Sequence, residues 1–345
     1  MENQRKVHLV GSICGTDTAT SAFRKAVTSF SNLPRLPDGE PGYRSTFIQW
    51  QRGVFKHDPS VLRKYDKSWN SVSEDPVPDD QVKSIVGRIL PLKPGYDDAA
   101  LESYAEFRRL KDEGVIPAHV RFQVCFPTPF VVVCLVREGF QADIEPLYEK
   151  ALLSCLENIQ DKIPHDDLAI QWDIAGEMMP LESHFLPHFK PWFPQPYMEG
   201  FIERIARLVN TVSPDVETGI HICYGDWGHR HFIDPKDTGL MVTLSNGILA
   251  SARRPVNWIH MPVPRNIDDE AYFSPLKELK LQPGSDLFLG LVHANDAAGT
   301  RLKIDIAKKV LRQVQFGIAT ECGLGRTPEE DFQSIADITN LYSHL

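Results

Sequence analysis

Short β-branched and aromatic runs alternate with helix-like stretches along the 345-residue chain, and this alternation limits the fold more than any other feature. The strand-like runs cover residues 7–13, a short piece near 33–36, 120–124, 168–174, 217–223, 256–261, 287–293 and 317–320. Helix-like stretches cover 18–29, 97–113, 145–160, 196–212, 237–245 and 302–316. Within 197–209, Phe201, Ile205, Leu208 and Val209 recur at three- and four-residue intervals or lie adjacent, which gives a helix one buried face. Strands alternating with helices predict parallel pairing through right-handed crossovers. About eight such units in one chain predict an α/β fold, a single (β/α)8 TIM barrel with loop insertions at its C-terminal mouth. The sequence carries no Gly-rich dinucleotide fingerprint, which weighs against an open doubly wound sheet.

No linker or internal repeat divides the chain, so residues 1–345 read as a single domain. An irregular insertion, with a small hairpin as a candidate, is expected around 49–97, where SEDPVPDD and PLKPGYDD are rich in proline and acid. A structured loop near the mouth is expected at 180–196, through HFLPHFKPWFPQPY. The net charge of −9 and the lack of a basic run argue against nucleic acid or an anionic membrane surface as partner. The N-terminus has no signal-peptide pattern, and no apolar run reaches the ~20 residues of a membrane span. Six dispersed cysteines do not form a disulfide framework, and a reducing, cytoplasmic setting is expected.

The chemistry concentrates in two segments. In ETGIHICYGDWGH, His221 and Cys223 are alternate residues of a strand and therefore face the same side. Together they can offer nitrogen and sulfur to one borderline-soft ion such as zinc, or be a satisfied histidine beside a buried thiol. In FGIATECGLGR, Cys322 follows another strand, which places it at the same C-terminal mouth, although alone it reads equally as a turn cysteine. Three protein donors with one open position form the catalytic zinc arrangement.

HICYGDWGH followed by ATECGLGR resembles the two metal-binding segments of the cobalamin-independent methionine synthases. Their superfamily also holds uroporphyrinogen decarboxylase and the coenzyme M methyltransferases. VHLVGSICGT resembles that family's first barrel strand with its Gly-Ser turn, and LPDGEPGYR its second-strand segment with a Gly-Glu pair. VRFQVCFPTPF stands at the third strand but lacks the family's glycine, and LAIQWDIAGE replaces the usual Asp-Glu-Pro by Asp-Ile-Ala. The matches run in order from Val7 to Arg326 and correspond to the catalytic C-terminal barrel alone.

The resemblance implies zinc as cofactor, with His221, Cys223 and Cys322 as ligands. The family's fourth ligand, a glutamate, falls in PVNWIHMPVPR, where His260 stands nearest. His260 is thus a candidate fourth ligand, a candidate acid or base off the metal, or a buried histidine bonded to backbone. The resemblance further implies that the turn at Ser12 binds an amino-acid carboxylate and that Glu40 and Asp173 bind its ammonium group. Asp38 either joins them or caps the DGEPG turn. His293 and Asn295 are candidates to contact substrate at the mouth or to orient their loop, with Asp173 and His293 as further catalytic candidates. His229 and His231 read as exposed loop residues or metal contacts. Trp227, Phe189, Trp192 and Phe193 read as pocket wall or packing. The expected function is zinc-dependent methyl or alkyl transfer to a homocysteine-like thiol. The donor would be a corrinoid or a small methylated metabolite. Alternatives are zinc-dependent hydrolysis or lyase chemistry on the same barrel, or a homologue that holds metal or ligand without turnover.

Overall fold

The computed structural model describes residues 4–66, 72, 75–184, 190–225 and 232–344. Seven parallel strands form one curled sheet in chain order: β1 (Arg35–Pro37), β2 (Arg121–Pro127), β3 (Leu168–Ile174), β4 (Glu217–Ile222), β5 (Trp258–Pro262), β6 (Asp286–Val292) and β7 (Phe316–Thr320). Every neighbouring pair is parallel; Ala19–Ser29 precedes β1, and helices such as Tyr96–Asp112, Gln141–Lys162, Tyr197–Val209, Gly239–Ser251 and Ala297–Val310 run between strands. Local signals start and bury these helices. Thr18 and Ser21 cap Ala19–Ser29 reciprocally, and Phe201, Ile205, Leu208 and Val209 form the buried face of Tyr197–Val209.

The expected eight-stranded barrel is corrected to a TIM-like sheet of seven laddered strands. The run at 7–13 reaches both sheet edges, but only through isolated bridges of Val7 to Ile318, Ser12 to Gly39 and Ile13 to Leu324. The cause lies inside the sheet. The Gln123 amide donates to the carbonyls of Leu9 and Val10, and Gln171 donates to Val10 at 2.7 Å. Carbonyls bonded to these interior side chains do not build a regular backbone ladder.

Beside the short helices Pro129–Val133, Met178–Leu181 and Glu270–Phe273, two longer helices fall outside the expected set among the described residues. Asp79–Arg88 lies in the stretch expected to be irregular, and Glu329–Ser343 closes the chain. No hairpin forms in 49–97 among the described residues; Leu62 instead makes one antiparallel bridge to Val136.

Side chains alternate along the strands. On β3, Ile170, Trp172 and Ile174 join the large core between sheet and helices, whereas Ala169 joins Trp258 and Phe288 in a separate cluster inside the sheet. That cluster plugs the N-terminal end of the strands. A Cβ on Gly219 would stand 2.0 Å from the Trp258 ring, so only glycine leaves room for the plug. The Arg35 guanidinium lies 4.0 Å over the same ring and pairs with Glu217 at 2.7 Å. With that end filled, the C-terminal ends of the strands are left to carry the chemistry. Among the described residues, no helix is long and apolar enough to cross a membrane.

Candidate functional site

Strand register brings the first donors together. Asp173 of β3 pairs with His221 of β4, and His221 pairs with His260 of β5. Cys223 lies just beyond β4, where its N–H donates to the Ile174 carbonyl at 2.8 Å and carries the β3–β4 pairing forward. Cys322 lies on the turn after β7, and Thr320 Oγ1 donates to its carbonyl at 2.7 Å. Gly290 on β6 makes this turn possible, because a Cβ there would stand 2.8 Å from the Glu321 Cα. The result is close: Cys322 Sγ is 3.8 Å from Cys223 Sγ and 3.8 Å from His221 Nε2. Donor atoms of His221, Cys223 and Cys322 all lie within 4.8 Å of one another, the one such His/Cys/Asp/Glu cluster among the described residues.

His260 is fully buried beside this group. Its Nδ1 is 2.6 Å from His221 Nδ1, and its Nε2 is 3.0 Å from the Thr320 carbonyl oxygen. Both ring nitrogens thus have partners within the protein. Burial lowers the pKa of His260 to about 3, and burial followed by the neighbouring His260 takes His221 well below the ordinary histidine value. Both imidazoles are therefore neutral near pH 7.

The candidate substrate carboxylates lie alongside this group, Asp173 as the strand partner of His221 and Glu40 on the turn after β1. Asp173 accepts from Gln171 Nε2 at 2.8 Å. Burial first, and then the charge of Glu40, raises its pKa well above the usual carboxylate range. Glu40 rises to about 7 through burial and Asp38, against the pull of Arg44 and Arg326. Its backbone is left-handed, with φ of 49°, at a cost of roughly 1 kcal/mol for a residue with a Cβ. Asp38 holds that turn: Oδ1 accepts from the Glu40 N–H at 3.0 Å, while Oδ2 accepts from Arg44 and from Ser103. Asp38 is therefore engaged in turn chemistry. Ser12 Oγ accepts from the Gly325 N–H at 3.1 Å, which leaves its hydroxyl proton free to donate.

The remaining candidates are spread more widely. His293 Nε2 lies 3.0 Å from the Val263 carbonyl and its Nδ1 3.4 Å from Glu321, next to Cys322 in sequence. Burial lowers its pKa to about 3. Asn295 donates to Asp331 and Ser334 and orients its own loop. Trp192 stacks on Phe130 and donates to Glu145, and Phe193 packs on Phe201 and Arg204 in the helix layer. Phe189, Trp227, His229 and His231 lie outside the described residues. A surface groove of about 620 Å³ lined by Glu145, Glu149, Arg204 and Arg207 contains none of the candidates.

Sequence reasoning passed over three interior residues. Gln123 and Gln171 tie the N-terminal segment to β2 and β3. Cys125 Sγ and Glu40 Oε1 both lie 3.7 Å from where a Gly11 Cβ would stand. All three alternate with buried hydrophobics on their strands, a period-two polar signal that was present in the sequence.

No protein-family profile matches the sequence, and no curated protein matches it significantly. Solved structures do share its fold. A B12-independent methionine synthase from Shewanella sp. W3-18-1, in complex with selenomethionine, aligns over 99% of this chain and 96% of its own, with TM-score 0.59 and 13% identity. A Listeria monocytogenes protein provisionally assigned as a vitamin-B12-independent methionine synthase aligns over 99% and 98%, with TM-score 0.52 and 13% identity. At this identity the likeness is one of fold.

Proposed function

We propose that this chain is a zinc enzyme that transfers a methyl group to the sulfur of an amino-acid thiol of the homocysteine class. The observation that carries the reading is the spacing of His221, Cys223 and Cys322. Two sulfur ligands bound at about 2.3 Å and a tetrahedral angle stand about 3.8 Å apart. Cys223 and Cys322 have that separation before any metal enters the argument. Two thiolates and one neutral imidazole also match the charge and softness of a zinc ion. When bound there, zinc would lower the pKa of an incoming thiol and keep it as the nucleophilic thiolate.

The chain's own residues supply the rest. Glu40, raised by burial and Asp38, and Asp173, raised by burial and Glu40, suit an ammonium group placed between them. Ser12 offers a hydroxyl proton to the substrate carboxylate. Substrate held at both charged ends would leave its sulfur directed toward the metal-binding side chains. Sulfur then attacks the methyl carbon; the S–C bond forms as the donor leaves with the electron pair of its bond, and the thiol proton is released to solvent. A corrinoid or a small methylated metabolite is the proposed donor, and the 1–345 chain is proposed to act as one domain.

X-ray absorption at the zinc edge, with and without L-homocysteine, tests the reading. One additional sulfur neighbour is expected on adding the thiol. An unchanged shell across a broad thiol panel would overturn thiol activation and leave water-based hydrolysis or lyase chemistry as the surviving reading.

A further inference from the structure

We propose that His260 is not a metal ligand but a positioning residue, which fixes the ring of His221 and joins the two ligand-bearing segments through a closed circuit of contacts. The inference rests on the zinc reading of His221, Cys223 and Cys322.

The circuit starts at a carbonyl. The Thr320 oxygen can only accept, so the His260 Nε2 facing it at 3.0 Å carries the proton. In a neutral ring, Nδ1 is then an acceptor. The nitrogen 2.6 Å away, His221 Nδ1, must therefore donate. A hydrogen on His221 Nδ1 leaves the lone pair on its Nε2, the atom that faces Cys322 Sγ at 3.8 Å. Thr320 Oγ1 meanwhile donates to the Cys322 carbonyl and ties that cysteine to the carbonyl where the circuit began. One contact chain thus runs from Cys322 through Thr320, His260 and His221 back to Cys322.

Each link has a chemical consequence. A metal-binding imidazole must present a lone pair, and the partner of its other nitrogen decides which tautomer exists. Here that partner is a neutral imidazole, so the orientation is set without adding negative charge to a buried site. With both nitrogens of His260 committed, the described residues supply three donors and leave a fourth position for substrate. Parallel register supports the arrangement, since His221 and His260 are direct partners on adjacent strands.

Long-range ¹H–¹⁵N spectra of the histidine rings, recorded on metal-free and zinc-loaded protein, test the inference. His260 is expected to be protonated on Nε2 in both states, and His221 on Nδ1, with only His221 Nε2 shifting on zinc addition. A coordination shift at His260, or Nδ1 protonation of His260 in the metal-free protein, would overturn the inference while leaving the zinc reading intact. Failure to take up zinc at all would overturn both. Two variants add an affinity readout against a competing chelator. His260→Leu should weaken zinc binding roughly 10- to 100-fold. His260→Asn places an amide oxygen near the former Nδ1 and should recover most of that loss. Equal losses in both variants would reduce His260 to packing and overturn the positioning role.

Discussion

The imidazoles and the carboxylates of the interior respond to burial in opposite directions. His221, a candidate metal donor, and its neighbour His260 are held neutral because burial lowers their pKa values. Glu40 and Asp173 are pushed toward the neutral acid because burial raises theirs. On the proposed reading, the same solvent exclusion would leave His221 with a lone pair for a dication and let the two acids gain from an ammonium. Their construction differs as well. The histidines and Asp173 sit on laddered strands, whereas Glu40 depends on a left-handed turn that Asp38 holds in place. A substrate with a soft sulfur at one end and a positive charge near the other would engage both groups.

Separate variants should break the two groups independently. The largest effect is expected at the ligands: Cys322→Ser should weaken zinc binding by at least about 100-fold, read by chelator competition. Full retention of zinc would remove Cys322 from the site. Asp173→Asn should next weaken binding of an amino-acid thiol by on the order of 10- to 100-fold, consistent with loss of about 1.5–3 kcal/mol from a charge-assisted hydrogen bond. Calorimetry should show unchanged affinity for zinc and for thiols lacking an amine. An equal loss for both thiol classes would contradict the division of labour.

Acidity provides a third contrast. Glu40 is raised from 4.5 to about 7 in the folded chain, so between those values the folded state holds the extra proton. Stability contributed by this group is present below pH 4.5 and is lost as pH rises toward 7. Glu40 keeps some solvent access, and screening reduces the effect to on the order of 1–2 kcal/mol. Urea titrations should therefore find Glu40→Gln flatter than the parent between pH 5 and 8. A slope equal to the parent's would place the proton elsewhere, with Glu177, also raised to about 7 by burial, the next group to replace. The smallest expected effect is Thr320→Val, which removes the hydroxyl contact to Cys322 and should cost about 1 kcal/mol of stability. No change in either stability or zinc affinity would show that the turn holds itself.

How far this could be read beforehand depended on the kind of signal. His221 and Cys223 were legible because alternate residues of a strand share a face, and Cys322 because it follows a strand. Glu40 and Asp173 entered through resemblance, since a lone acid in a turn or strand says little about burial. The contact between His260 and His221 depends on register across two strands, which one sequence does not specify. The eighth strand was misjudged because Val7–Ile13 has suitable hydrophobicity, yet its carbonyls face glutamines more than 110 residues away in sequence. Helix Glu329–Ser343 had legible signals that went unread: an acidic first turn and buried residues at Phe332, Ile335, Ala336, Ile338 and Thr339. In Asp79–Arg88 the proline and acids read as loop, although an acidic first turn after Pro78 also suits a helix start.

The Trp258–Phe288 cluster has a consequence for traffic. Among the described residues, buried aromatics and a stacked arginine fill the N-terminal end of the sheet interior and close it as a rear exit. On the proposed reading, acceptor, methyl donor and methylated product would share the front door, and the order of arrival would become a property of the architecture. An acceptor held by the buried carboxylates and the candidate metal donors would then have to arrive before its donor, and its product would leave only after that donor had withdrawn.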